Sequence, residues 1–145
     1  MRYILFVIFI CINGYFLFIL SKKQERPFLL KIFPISIPVV VVLFFIIGLI
    51  VKLLSVQMNY HISQALISAM MSLIVIAMVN FANQAFSYMI DAVAKFHQKN
   101  NASNLGLQPV KFLIDHQTSL KKMAAMVWFL GAILMLYGIW LGDPH

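Results

Sequence analysis

Four apolar stretches, each close to the length of helix that crosses a bilayer, constrain this chain more than any motif in it. A hydrocarbon core about 30 Å thick takes roughly 20 residues of α-helix. The stretches run from Tyr3 to Leu20, from Ile35 to Leu54, from Ile62 to Ala82 and from Met123 to Leu141. They predict an all-α membrane protein, one integral domain of four transmembrane helices. Composition agrees. Of 145 residues, 63% are hydrophobic and 10% charged, whereas a soluble domain carries about 25% charged residues. So few polar groups cannot coat a globule in water.

The first stretch is interrupted only by Asn13-Gly14-Tyr15. It exceeds the roughly 7–15 apolar residues of a signal-peptide core, and no small-x-small cleavage site follows it. Ser21-Lys22-Lys23 follows instead, so the stretch reads as an uncleaved anchor. Pro34 and Pro38 stand at the start of the second stretch, where a missing N–H does least harm to a helix. Lys52, near its far end, can snorkel to the interface. Trp128 and Trp140 lie towards the two ends of the fourth stretch, the level of an interfacial aromatic belt, although Trp128 is also placed to pack inside. Cys11, the single cysteine, reads as a small buried hydrophobe.

Eleven Lys and Arg against four acidic residues give a net charge of +7. These cations gather at the ends of the apolar stretches and do not form the broad basic face that nucleic acid requires. They read as topology determinants and headgroup anchors. Lys22, Lys23, Arg26 and Lys31 lie between the first and second stretches, and Lys95, Lys99, Lys111, Lys121 and Lys122 between the third and fourth. Only Arg2 and Lys52 lie on the other side. The positive-inside bias then puts both charged connections in the cytoplasm. In a bacterial inner membrane both termini are periplasmic, and the short Val51 to His61 connection makes helices two and three a tight hairpin.

The third helical pattern continues past the membrane. It runs without Gly or Pro to about Lys99, roughly 55 Å of helix at 1.5 Å per residue. Asn100 to Gly106 is rich in turn formers, with Gly106 a candidate C-cap. Gln108-Pro109 opens a further helix that continues towards the fourth stretch. The two arms, to about 99 and from about 109, form an antiparallel hairpin in the cytoplasm. Phe86, Ile90, Val93 and Phe96 mark the apolar face of one arm, and Val110, Leu113, Ile114 and Leu120 that of the other. Three roles are open to it: packing on itself, lying on the headgroups, or docking a cytoplasmic protein, with Phe96, His97, Leu113 and His116 as the docking candidates.

At 100° per residue, the third helix collects Ala65, Ser68, Ala69, Ser72, Ile76, Asn80, Asn83, Ser87, Asp91 and Ala94 on one side. Ile67, Met70, Met71, Ile74, Met78 and Phe81 fall on the other. Small residues let helix backbones approach closely, and amides hydrogen-bond across the contact. The seam residues Ser68, Ser72, Asn80, Asn83, Ser87 and Asp91 therefore serve one of three ends: packing on the chain's own helices, contact with other subunits, or lining a water-filled path. A path normally carries an ionisable group at mid-membrane, and none stands there.

Catalytic and cofactor signatures are not evident. His61, His97, His116 and His145 all avoid the middle of the stretches, and two facing histidines without a third ligand make a weak metal signal. Asp115-His116 is one dipeptide and not a triad, and no phosphate-binding Gly loop occurs. Asn101-Ala102-Ser103 matches a glycosylation acceptor but falls on the cytoplasmic side. No catalytic residue, cofactor or metal is expected. The chain reads as a small non-enzymatic subunit of a larger inner-membrane secretion or transport assembly, with the bilayer and other membrane subunits, or further copies of itself, as its partners. A homo-oligomeric channel or transporter and a membrane-embedded enzyme subunit are the alternatives.

Overall fold

The computed structural model describes residues 2–23, 26–53, 59–100 and 106–142. Outside them lie Glu25, most of the connection between helices two and three, the 101–105 break with its glycosylation-type tripeptide, and the terminal Asp143-Pro144-His145. Among the described residues every element is helical. They are α1 (Arg2–Gly14), a π-helical turn (Tyr15–Leu20), α2 (Ser21–Lys23), α3 (Arg26–Leu53), α4 (Tyr60–Asn100), α5 (Gln108–Asp115) and α6 (Gln117–Trp140). Four helices are long and apolar enough to cross a membrane: Arg2–Leu20, Phe28–Leu53, Tyr60–Asn100 and Gln117–Trp140.

α1, α4 and α6 form one packed core. Phe9, Ile76, Leu136 and Trp140 cluster towards one end of it. Leu17, Val79 and Ala132 cluster further along. Small residues set the closeness of these contacts. Ala132 is fully buried on α6, and a Cβ on Gly14 would sit 3.5 Å from the Phe129 ring. Arg2, Gln64 and Trp140 line one cavity, while Lys22, Gln84 and Lys122 line another. α1 and α4 thus run parallel and α6 runs antiparallel to both, so that α1 and α4 begin at the end of the bundle where α6 finishes.

α3 differs from its sequence-based expectation. It begins at Arg26, so Pro34 and Pro38 lie inside the helix and not at its start. Each proline lacks the N–H that would reach the carbonyl four residues back, which leaves those of Leu30 and Pro34 without that bond. Burial of Leu29 and Phe33 holds the early turns down, and the Phe33 ring meets Phe16 edge-on. The Ser36 hydroxyl donates to the Phe33 carbonyl at 2.7 Å. Beyond Phe33 no residue of α3 is buried, and its packing is chiefly against α4.

α4 has 41 residues, about 60 Å at 1.5 Å per residue. Gln108 opens α5 with Pro109 in its first turn, as the Gln-Pro pair predicts. α5 does not continue unbroken into the fourth apolar stretch. His116 takes φ −110° and ψ 14° between α5 and α6. Its backbone N–H donates to the Phe112 carbonyl at 3.0 Å, and its ring Nδ1 lies 3.1 Å from the same oxygen. This crowding at one carbonyl marks the break. α6 ends where the N–H groups of Leu141 and Gly142 both reach the Tyr137 carbonyl. A Cβ on Gly142 would lie 2.5 Å from the Gly138 carbonyl oxygen, so the termination suits glycine alone.

Candidate functional site

The buried polar residues form a seam along the inner face of α4. Ser72, Asn80, Asn83, Gln84 and Ser87 are all buried there, as is Asn13 on α1. On the opposite face Ile67, Met71, Met78 and Phe81 are exposed. The division follows from helical periodicity, since positions three and four apart share a face.

At one end, Arg2 donates to the Gln64 side-chain oxygen at 2.6 Å. The Ser68 hydroxyl approaches the Ile139 carbonyl at 3.5 Å. One turn on, the Ser72 hydroxyl donates to the Ser68 carbonyl at 2.7 Å and accepts from the Trp140 indole N–H at 2.8 Å. The Trp140 ring stacks on Phe9, with centroids 5.6 Å apart. Trp140 is therefore an internal knob joining α6, α4 and α1. It is Trp140 that departs from the interfacial expectation by packing inside, and Trp128 is exposed, as an interfacial residue would be. Cys11 is likewise exposed and not buried.

The centre of the seam is an amide pair. Asn80 Nδ2 donates to Asn13 Oδ1 at 3.1 Å and to the Ile76 carbonyl at 2.8 Å. Both residues are 0% exposed. The first helix is thus not a plain anchor, because it carries half of the most deeply buried polar contact. The pair uses one of the two bonds open to facing amides. Asn13 Nδ2 and Asn80 Oδ1 find no protein partner, and neither does Asn83 Oδ1. Each such buried group costs about 1–3 kcal/mol.

Next to Asn13 the helix widens into the π-helical turn, a form that recurs at functional sites. The Ser21 hydroxyl donates to the Phe16 carbonyl, five residues back, at 2.8 Å. At the far end of the seam Asp91 pairs with Lys121 of α6. Both are about a quarter exposed or less, so the pair clips α4 to α6 where water still reaches it.

The docking candidates sit apart from the seam. Phe96 is 54% exposed, His97 and Leu113 are half-buried, and His116 is exposed. Each imidazole meets a ring close by in its own helix: His97 lies edge-on to Phe96, and His116 stacks on Phe112 at 4.5 Å. Ile90 and Ala94 are buried on the α4 arm, whereas Tyr88, Met89 and Val93 are exposed. No α5 residue is fully buried. Among the described residues, no three of His, Cys, Asp and Glu gather as metal ligands.

Sequence reasoning missed Asn13 and Gln84. For Asn13 the signal was present, since a lone amide inside an apolar helix requires a partner. Gln84 lies one position from Asn83 and falls outside a narrow stripe. No family model matches the chain, and neither a curated protein nor a solved structure matches it.

Proposed function

We propose that the chain is a small, non-enzymatic, multi-pass subunit of a larger inner-membrane assembly, of the kind that serves secretion or transport. The four long apolar helices cross the bilayer with both termini periplasmic. The ends of α4 and α6 that meet at Asp91 and Lys121, together with α5, stand in the cytoplasm. One observation carries the reading. α4 is 41 residues long, about twice what the hydrocarbon core takes up, and its outer turns expose Tyr88, Met89, Val93 and Phe96. Apolar side chains held out in water on a rigid helix mark a contact surface. α5 adds Phe112 and Leu107 at its start.

In this reading the seam holds the subunit together, and the extension meets the partner. A photo-crosslinking amino acid at position 96 or 112, in cells that make the chain at native level, tests it. A discrete adduct with one other protein is expected. Adducts with lipid alone, or none, would count against it.

A second reading has one observation in its favour. Asn13, Asn80 and Asn83 leave polar atoms without protein partners along one line of the bundle, as a water-filled path would require. Four helices enclose little space, so such a path needs several copies. Flux through reconstituted vesicles that is abolished by Asn80→Leu supports it, and flux indifferent to that change removes it.

A further inference from the structure

A cavity of about 450 Å³ opens between the π-helical turn, α4 and α6. Its wall has two halves. Lys22, Lys121 and Lys122 stand on one side, Lys121 already paired with Asp91, and among the described residues no acidic residue lines the cavity. Leu17, Phe18, Ala125 and Met126 form the other. The cationic half follows the last apolar residue of the first helix and precedes the first of the fourth. The apolar half lies within those helices. Charge at the headgroup level above an apolar wall is the outline of an amphiphile and not of a free ion.

The floor is polar and buried. Asn83, Gln84 and Ser87 line it, each more than nine-tenths buried. Asn83 Oδ1 has no protein partner and is itself shielded from solvent, so a ligand reaches it once the side chain turns into the cavity. That acceptor calls for a donor, and the lysines call for an anion. An ammonium headgroup supplies the donor but is repelled by the lysines, and a bare phosphate monoester supplies charge with few donors. A phosphodiester carrying hydroxyls answers both demands. Basic pockets between transmembrane helices on the cytoplasmic side bind such headgroups.

We infer that this cavity holds the headgroup of an anionic, hydroxyl-bearing phospholipid. Lys22 and Lys122 face the phosphate, Asn83 accepts from a headgroup hydroxyl, and the acyl chain lies along Leu17, Phe18 and Met126. The inference rests on the membrane-spanning reading and not on a protein partner. Absence of a protein adduct at positions 96 and 112 would overturn the subunit proposal and leave this one standing.

The test uses the full chain purified in a zwitterionic detergent, with thermal unfolding followed by tryptophan fluorescence. Dioleoyl phosphatidylglycerol is titrated against dioleoyl phosphatidylcholine, dioleoyl phosphatidic acid and inorganic phosphate. Phosphatidylglycerol is expected to raise the midpoint at concentrations where phosphatidylcholine does not. The double variant Lys22→Gln/Lys122→Gln weakens this response roughly 10- to 30-fold. Lys95→Gln/Lys111→Gln, which removes equal charge elsewhere, leaves it in place. Asn83→Leu narrows the preference for phosphatidylglycerol over phosphatidic acid and keeps the preference over phosphatidylcholine. Equal responses to phosphatidylglycerol and phosphatidylcholine, or equal loss in the two lysine doubles, would overturn the site. Full protection by inorganic phosphate would overturn its assignment to a lipid. Because both lysines are exposed, folding in the absence of lipid is expected to match the unaltered chain.

Discussion

The packed core of α1, α4 and α6 and the outlying helix α3 meet their surroundings in opposite ways. The core is joined by directional contacts: Trp140 to Ser72, Asn80 to Asn13, Asp91 to Lys121. Each bond fixes a register, because sliding a helix by one turn would strand a polar group in an apolar setting. Among the described residues α3 carries no such contact to another helix, the Ser36 hydroxyl bonding within α3 itself. Its later turns face α4 across an apolar groove of about 400 Å³ lined by Phe44, Phe45, Gly48 and Met70. On the membrane-spanning reading, apolar side chains gain little from each other over lipid tails, so beyond the buried Leu29 and Phe33 the position of α3 is weakly specified. Polar stitching makes a fixed unit, and its absence leaves a helix that can shift or accept a neighbour.

The sharpest way to break this contrast is Trp140→Ala. It removes both the stacking on Phe9 and the donor to Ser72, at an expected cost of about 3–5 kcal/mol, read from equilibrium unfolding in mixed detergent. A cost near zero would mean that the core is not joined there. Next come Asn13→Ala and Asn80→Ala. Each is expected to destabilise by about 1–2 kcal/mol, because each leaves the other amide buried without its partner. Their double-mutant cycle should show coupling of about 0.5–1.7 kcal/mol, and additive losses would deny the pair. Lys121→Gln breaks a pair that water still reaches, so the loss is at most about 1 kcal/mol. It should shrink further as salt rises. Smallest is Phe45→Ala on α3. Its side chain is largely exposed, and stability of the isolated chain should move by no more than about 0.5 kcal/mol.

How much of this is legible in the sequence depends on the kind of signal. The inner face of α4 follows directly from its 100° periodicity, because small and polar residues repeat along one side. The long reach of α4 follows from the lack of Gly and Pro before Gly106. Asn13 was missed because one amide in a short polar interruption looks like noise until its partner on another helix is known. The burial of Trp140 is a packing result. On α6 the buried residues Ala125, Ala132, Leu136 and Trp140 repeat at helical spacing, and Trp128, three and four positions from Ala125 and Ala132, stands at the edge of that stripe. Position along the helix predicted an interfacial tryptophan, and rotation around it decided otherwise. The prolines of α3 misled for a further reason. In water they end a helix, but in lipid a helix is the one way to satisfy the neighbouring backbone, so prolines inside it are tolerated. The π-helical turn and the break at His116 have no sequence signature beyond local crowding.

That the polar seam is internal to one chain is tested most directly by linking its two central positions. In a Cys11→Ser background, Asn13→Cys and Asn80→Cys are combined and treated in native membranes with a short bifunctional thiol reagent. An internal seam predicts a linked product that runs as a monomer on a denaturing gel, with cysteine at position 45 or 96 giving no link to position 13. Covalent dimers through positions 13 and 80, with no intramolecular product, would contradict it and move the seam to an interface between copies.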